Sequence, residues 1–87
     1  MIFSKKFNNN AMGRKAFKLD KVLCRKFGEK IKALRLDKNL KQDELAFKAK
    51  ISPSYLSAIE RGTSDTTLST AKRLSTALEI ELFELLK

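Results

Sequence analysis

Residues 42 to 61 read Gln-Asp-Glu-Leu-Ala-Phe-Lys-Ala-Lys-Ile-Ser-Pro-Ser-Tyr-Leu-Ser-Ala-Ile-Glu-Arg, and their spacing predicts two short helices joined by a tight turn. Leu45, Ala46 and Ala49 fall at i, i+1 and i+4, and Leu56 and Ile59 at i and i+3, so each half carries one narrow apolar stripe. Neither half is long enough to be stable alone. Ala46 is small enough to let the second helix cross close over the first, and Ile51 is placed to plug the corner between them. Ser52 before Pro53 marks a helix start, because a serine hydroxyl caps a free amide and proline at the first helical position loses no hydrogen bond. Gly62 supplies a left-handed stop.

The flanking segments supply three more helices. Asp20 is a good N-cap, and Leu23, Phe27, Ile31 and Leu34 then recur at i, i+4, i+8 and i+11 on one face. A first helix is therefore expected from Asp20 to Asn39, with Asn39 as its left-handed end. Its opposite face carries Arg25, Lys26, Lys32 and Lys38, which is either a solvated surface or an edge that faces phosphates. Cys24 lies beside the stripe and reads as a small, partly buried side chain. After the polar loop Thr63-Ser64-Asp65-Thr66, Thr67 caps a helix with Leu68, Ala71, Leu74 and Leu78 inward, and a last helix carries Leu82, Phe83, Leu85 and Leu86.

The chain has 87 residues, with no Trp, one Pro, three Gly and a formal net charge of +9. That length supports one small core. No stretch alternates apolar and polar residues long enough for a sheet, so an all-α bundle is expected. One cysteine and no histidine exclude an internal disulfide and a Cys/His zinc site, and a reducing cytoplasm is the simplest home. No secretory signal core or membrane-spanning run is present. Without His, a metal cluster or a Gly-rich phosphate loop, an enzyme is not expected, and no cofactor is called for.

The positive charge is uneven. Residues 1 to 30 hold nine Lys/Arg against Asp20 and Glu29, whereas residues 31 to 87 hold ten against eight acids. Such asymmetry favours a polyanionic partner, nucleic acid ahead of membrane, although a solvated tail explains a charge run equally well. Residues 1 to 19 read as a basic flexible arm with Lys5, Lys6, Arg14, Lys15 and Lys18, ahead of a body at residues 20 to 87. Phe3, Phe7 and Phe17 in that arm are candidates for docking on the body. A helical corner like that of residues 42 to 61, with Pro53, Ser54, Tyr55, Ser57 and Ala58 on the outer face of its second helix, fits a DNA major groove.

Gln42, Ala46, Ile51, Ser52, Leu56, Ile59, Glu60, Arg61 and Gly62 resemble the helix-turn-helix of the Cro and lambda-repressor-like (Xre) family. The resemblance extends upstream through Phe27, Gly28, Ile31, Leu34 and Arg35, and downstream through Leu68, Leu74, Ala77, Leu78, Ile80, Leu82 and Leu85. Three departures stand out. Lys50 occupies the turn where the family favours glycine, Lys41 precedes Gln42 without a capping oxygen for a box with Glu44, and Glu79 stands where a glycine usually stops helix four. The last departure leaves helix four free to run into helix five.

The resemblance implies a compact five-helix domain and a sequence-specific, dimeric transcription regulator of the Cro-repressor or restriction-modification-controller kind. Helix three would read the major groove of an inverted-repeat operator with Pro53, Ser54, Tyr55, Ser57 and Ala58, while Gln42, Arg61, Thr63 and Ser64 would contact phosphates and Ser52 belongs to the same DNA-binding set. Arg35 would pair with Glu60 and present its guanidinium to the DNA backbone. Ile80, Leu82, Phe83 and Leu86 are the expected dimer surface, since Phe83 and Leu86 project beside the inward stripe of helix five. The alternative implied by the same fold is an antitoxin that neutralises a partner toxin and regulates its own operon. The body leaves no room for an effector-binding domain, so no small-molecule ligand is expected.

Overall fold

The computed structural model describes residues 20–87, which form five helices; the basic arm expected at residues 1 to 19 lies outside the described residues. In order these are α1 (Lys21–Asp37), α2 (Gln42–Ala49), α3 (Pro53–Arg61), α4 (Leu68–Ala77) and α5 (Leu82–Leu86). α1 packs on α3 and α5, α2 on α3 and α4, and α4 on α5. Ile31, Leu45, Ala46, Ala49, Leu56, Ile59, Leu74, Leu78 and Leu85 meet in one buried core drawn from all five helices. No described helix is long and apolar enough to cross a membrane.

Each helix start follows from its first residues. Asp20, Ser52 and Thr67 accept from the amides of Leu23, Tyr55 and Thr70 at 3.0 to 3.1 Å, so three helices carry side-chain caps. α2 departs from the expectation drawn from Lys41. A lysine side chain has no lone pair to accept an amide, but Glu44 still turns back to take the Lys41 N–H at 2.7 Å, so half of the capping box forms.

The helix ends explain the sharp corners. Asn39, Lys50 and Glu79 hold φ of 58°, 61° and 61°, and Gly62 holds 78°. Glu79 thus does the work of the missing glycine, and α4 stops rather than running into α5. The Glu79 and Ile80 amides return to the carbonyls of Thr76 and Ser75, which closes the end of α4 before Glu81 starts α5.

The buried face of α1 is rotated from the expected stripe. Cys24, Gly28, Ile31 and Arg35 are its buried residues, with Phe27 and Leu34 half-buried at the side and Leu23 62% exposed. Gly28 is the cause. There α1 runs so close to the end of α3 that a Cβ would stand 2.8 Å from the Glu60 carbonyl oxygen, so the helices cross at the residue without a side chain. Leu68, expected inward, begins α4 and is 69% exposed, while Ala71, Leu74 and Leu78 point into the core as expected.

Candidate nucleic-acid interface

The corner between α2 and α3 is set by backbone geometry. Lys50 takes the left-handed conformation that ends α2, and the Ile51 amide returns 3.0 Å to the Ala46 carbonyl. Ile51 packs half-buried against the core, as a plug between the two helices. Behind the corner, Arg73 of α4 donates through Nε to the Ala49 carbonyl at 3.1 Å and satisfies a free acceptor at the end of α2. Nothing in the spacing of the sequence marks Arg73 for that task.

One buried carboxylate fixes α3 against its neighbours. Glu60 accepts from Arg35 twice, Nε to Oε2 at 2.8 Å and Nη2 to Oε1 at 3.0 Å, and from Gln42 Nε2 at 3.0 Å. The remaining Arg35 branch donates to the Leu40 carbonyl at 2.9 Å. Arg35 and Glu60 are each only 7% exposed. The hydrogen bond to Glu60 holds the Arg35 guanidinium proton more firmly than usual, against the opposing effect of burial. The pairing expected of Arg35 and Glu60 is therefore present, but the guanidinium faces protein rather than an external phosphate. Three of its five N–H donors are spent on protein acceptors, and the side chain is buried.

The outer side of α3 carries the remaining candidates. Pro53 and Ser54 are exposed, Ser57 and Ala58 half-exposed, and Arg61 lies on the surface with its guanidinium on the Ser57 hydroxyl. Ser52 is exposed, yet its hydroxyl is engaged by the Tyr55 amide. Tyr55 is half-buried against the core, and its hydroxyl donates to the Asp65 carbonyl at 3.1 Å, so it braces the loop after α3. Thr63 turns its hydroxyl to the Ala58 carbonyl at 3.2 Å, and Ser64 lies beside Asp65. Gln42 is half-exposed at the first residue of α2, where Asp43 and Glu44 share the first turn.

Sequence reasoning missed how Gln42 is held. Its partner Glu60 lies 18 residues away, a distance at which helical spacing carries no signal. Away from this face, burial and the nearby Asp65 and Asp20 carboxylates push the Cys24 thiol above its ordinary range. Among the described residues, no group of three His, Cys, Asp or Glu side chains is placed to hold a metal ion.

A helix-turn-helix family profile matches residues 31–85. The chain belongs to this family, in its Cro and repressor-type branch of DNA-binding transcription regulators. Control protein C.BamHI of Bacillus amyloliquefaciens is 39% identical over 61 residues, which span 69% of this chain and 75% of that protein. Among solved structures, the restriction-modification controller C.AhdI of Aeromonas hydrophila superposes with a TM-score of 0.70 at 40% identity, covering 71% of this chain and 94% of that one. The biofilm master regulator SinR, solved in complex with DNA, superposes with a TM-score of 0.67 at 34% identity over 70% and 98% of the two chains. The five-helix body and the corner of α2 and α3 are thus those of a DNA-binding regulator.

Proposed function

We propose that this helix-turn-helix regulator works as a two-fold dimer on an inverted-repeat operator, with α3 in the major groove of each half-site. The reading is carried by one observation: α3 turns Pro53, Ser54, Ser57, Ala58 and Arg61 outward while the Arg35–Glu60–Gln42 network clamps its inner side. A recognition helix must be held on its inner side and offer contacts on its free face, and α3 meets both needs. Ser54, Ser57 and Ala58 lie on the base-facing side, suited to hydroxyl contacts and thymine methyl groups, and Pro53 and Ser52 sit at the groove edge. Gln42, Arg61, Thr63 and Ser64 flank them as phosphate contacts, and basic residues ahead of Asp20 add charge without sequence preference.

Tyr55 has a smaller role in this reading than its position on α3 suggests, because its hydroxyl is committed to Asp65. With no Arg, Asn or Gln at the base-facing positions, operator choice leans on DNA shape as well as on contacts. The likeness to the restriction-modification controller C.AhdI and to the control protein C.BamHI favours that kind of regulation over antitoxin activity.

Selecting bound sites from random double-stranded DNA tests the proposal. The expected outcome is an inverted repeat whose half-site centres lie about one helical turn, roughly 34 to 36 Å, apart. Recovery of a single unrepeated site would refute the dimeric reading, and recovery of no preferred site would refute sequence-specific recognition.

A further inference from the structure

Phe47 is the most exposed large apolar side chain among the described residues, at 84%. Glu44 and Asp43 stand three and four positions before it, so ring and carboxylates share one side of α2, with Lys48 as the one cation lining the same hollow. Glu44 also takes the Lys41 amide, whereas Asp43 has no ion pair among the described residues. Five residues separate Phe47 from Gln42, a turn of about 140° at 3.6 residues per turn. A phosphate on Gln42 therefore leaves the ring uncovered.

A surface of the opposite character lies elsewhere on the same body. Leu23, Phe27, Leu68 and Leu86 line a groove of about 240 Å³ between the start of α1, the start of α4 and α5. Lys26, Lys30 and Lys87 stand around it against one acid, Asp65. Glu84 holds two of these lysines, through its carbonyl to Lys30 Nζ at 2.8 Å and its carboxylate to Lys87 Nζ at 3.3 Å. Lys26 is exposed and has no ion pair among the described residues.

We infer that this groove takes Phe47 of a second copy of the chain, with Lys26 of the one facing Asp43 of the other. An apolar ring flanked by acids matches an apolar groove flanked by lysines, and each surface carries one unpaired charge for the other. Phe47 lines no part of the groove in its own chain. Ring and groove are different surfaces, so the contact is heterologous and copies join head to tail. A phenylalanine buries about 150 to 250 Å², well below the roughly 1,200 Å² at the lower end of stable interfaces. The contact is therefore weak and grows with protein concentration, in addition to any two-fold pairing through α5. It does not rest on that pairing.

The test is nuclear magnetic resonance on mixed copies. One copy carries a nitroxide at position 48, by Lys48→Cys in a Cys24→Ala background, and the other carries isotope-labelled leucine methyls, so only contacts between copies broaden a signal. Broadening of Leu23 and Leu68 ahead of Leu36 and Leu40, growing with concentration, is expected. Phe47→Ser in the nitroxide copy should remove it. Asp43→Lys in that copy should weaken it, and Lys26→Glu in the labelled copy should restore what Asp43→Lys loses. Phe47, Asp43, Lys48 and Lys26 are all exposed, so these changes leave the core intact. Equal broadening with Phe47→Ser overturns the inference, as does broadening that spares Leu23 and Leu68 at millimolar concentration. A dimer through α5 keeps its contacts in Phe47→Ser, so the two readings fail separately.

Discussion

Gln42 donates through Nε2 to Glu60 Oε1 at 3.0 Å, which ties the first residue of α2 to the next-to-last residue of α3 across the corner. The same oxygen takes Nη2 of Arg35, so one carboxylate locks three helices together. The arrangement orients a candidate phosphate ligand and the candidate reading helix through a shared buried charge. Disturbing that charge should therefore affect folding before it affects recognition.

Glu60→Ala should destabilise the free protein by about 3 to 5 kcal/mol, because it strands the Arg35 guanidinium in a buried site. Replacing both partners, as in Arg35→Met/Glu60→Leu, should cost less than either single change. Chemical denaturation of the four proteins measures the coupling. Additive effects would mean that the pair contributes nothing as a pair.

The contrast between expected and observed faces of α1 says what the sequence can carry. The five helices, the caps at Asp20, Ser52 and Thr67 and the corner at Lys50 to Ser52 were legible, because capping residues, proline and short apolar periods act locally, whereas the stop at Glu79 was not, since a non-glycine residue gives no local sign of a left-handed turn. Nor was the rotation of α1, since it depends on Gly28 meeting the α3 backbone and on Arg35 being neutralised by a residue 25 positions away. The partner of Arg35 was expected from the family resemblance and not from spacing, which does not connect residues that far apart. Nor does spacing reveal the contact of Tyr55, whose hydroxyl finds the Asp65 carbonyl only once the loop after α3 has folded back. Leu68 shares the period of Ala71, which points it inward on paper, but it sits in the first turn of α4, where the groove beside α1 opens.

Lys50 offers a stability test at the turn. Its φ of 61° places a side chain in the left-handed region, which costs an L-residue about 1 to 2 kcal/mol. Lys50→Gly removes that strain and gives back about 0.4 to 1 kcal/mol through the greater freedom of the unfolded chain. A net gain of about 0.5 to 1 kcal/mol is expected, raising the melting temperature by a few degrees. A lower melting temperature would mean that the lysine side chain holds the turn in a way its backbone does not reveal.

Tyr55 and the serines of α3 should separate by assay. Tyr55→Phe loses the hydrogen bond to Asp65 and should lower stability by about 0.5 to 1.5 kcal/mol while leaving base preference at the operator unchanged. Ser54→Ala and Ser57→Ala should instead change which operator positions matter, and Gln42→Ala should weaken all sites alike. Binding to a panel of single-base operator variants distinguishes the three outcomes. An altered base preference in Tyr55→Phe would make that hydroxyl a reader after all.

The charge ahead of the body should act through salt. Removing residues 1 to 15 takes away Lys5, Lys6, Arg14 and Lys15. Each phosphate left without its cation should flatten the slope of log affinity against log salt by about 0.9, with operator preference unchanged. A slope equal to that of the full chain would relieve this segment of any part in binding.

The apolar end of the chain bears on assembly. On α5, Leu85 is buried in the core and Leu82 half-buried, whereas Phe83 is 71% and Leu86 51% exposed, one helical turn apart on the outside. Ile80 sits half-buried just before them. Pairing this face with its copy about a two-fold axis would remove both large side chains from water, and isologous contact of that kind yields a closed dimer. Lys87 reaches over the Phe83 ring at 5.9 Å in the single chain, which shields only part of it. Phe83→Glu should therefore give a folded monomer, since that side chain lies outside the core, and the like charges would repel across the axis. Such a monomer engages one half-site at a time, so its operator affinity should fall steeply while its affinity for an isolated half-site stays the same. Sedimentation and binding measured together decide the matter: a Phe83→Glu protein that remains dimeric, or a parent protein that is monomeric at micromolar concentration, moves the interface elsewhere.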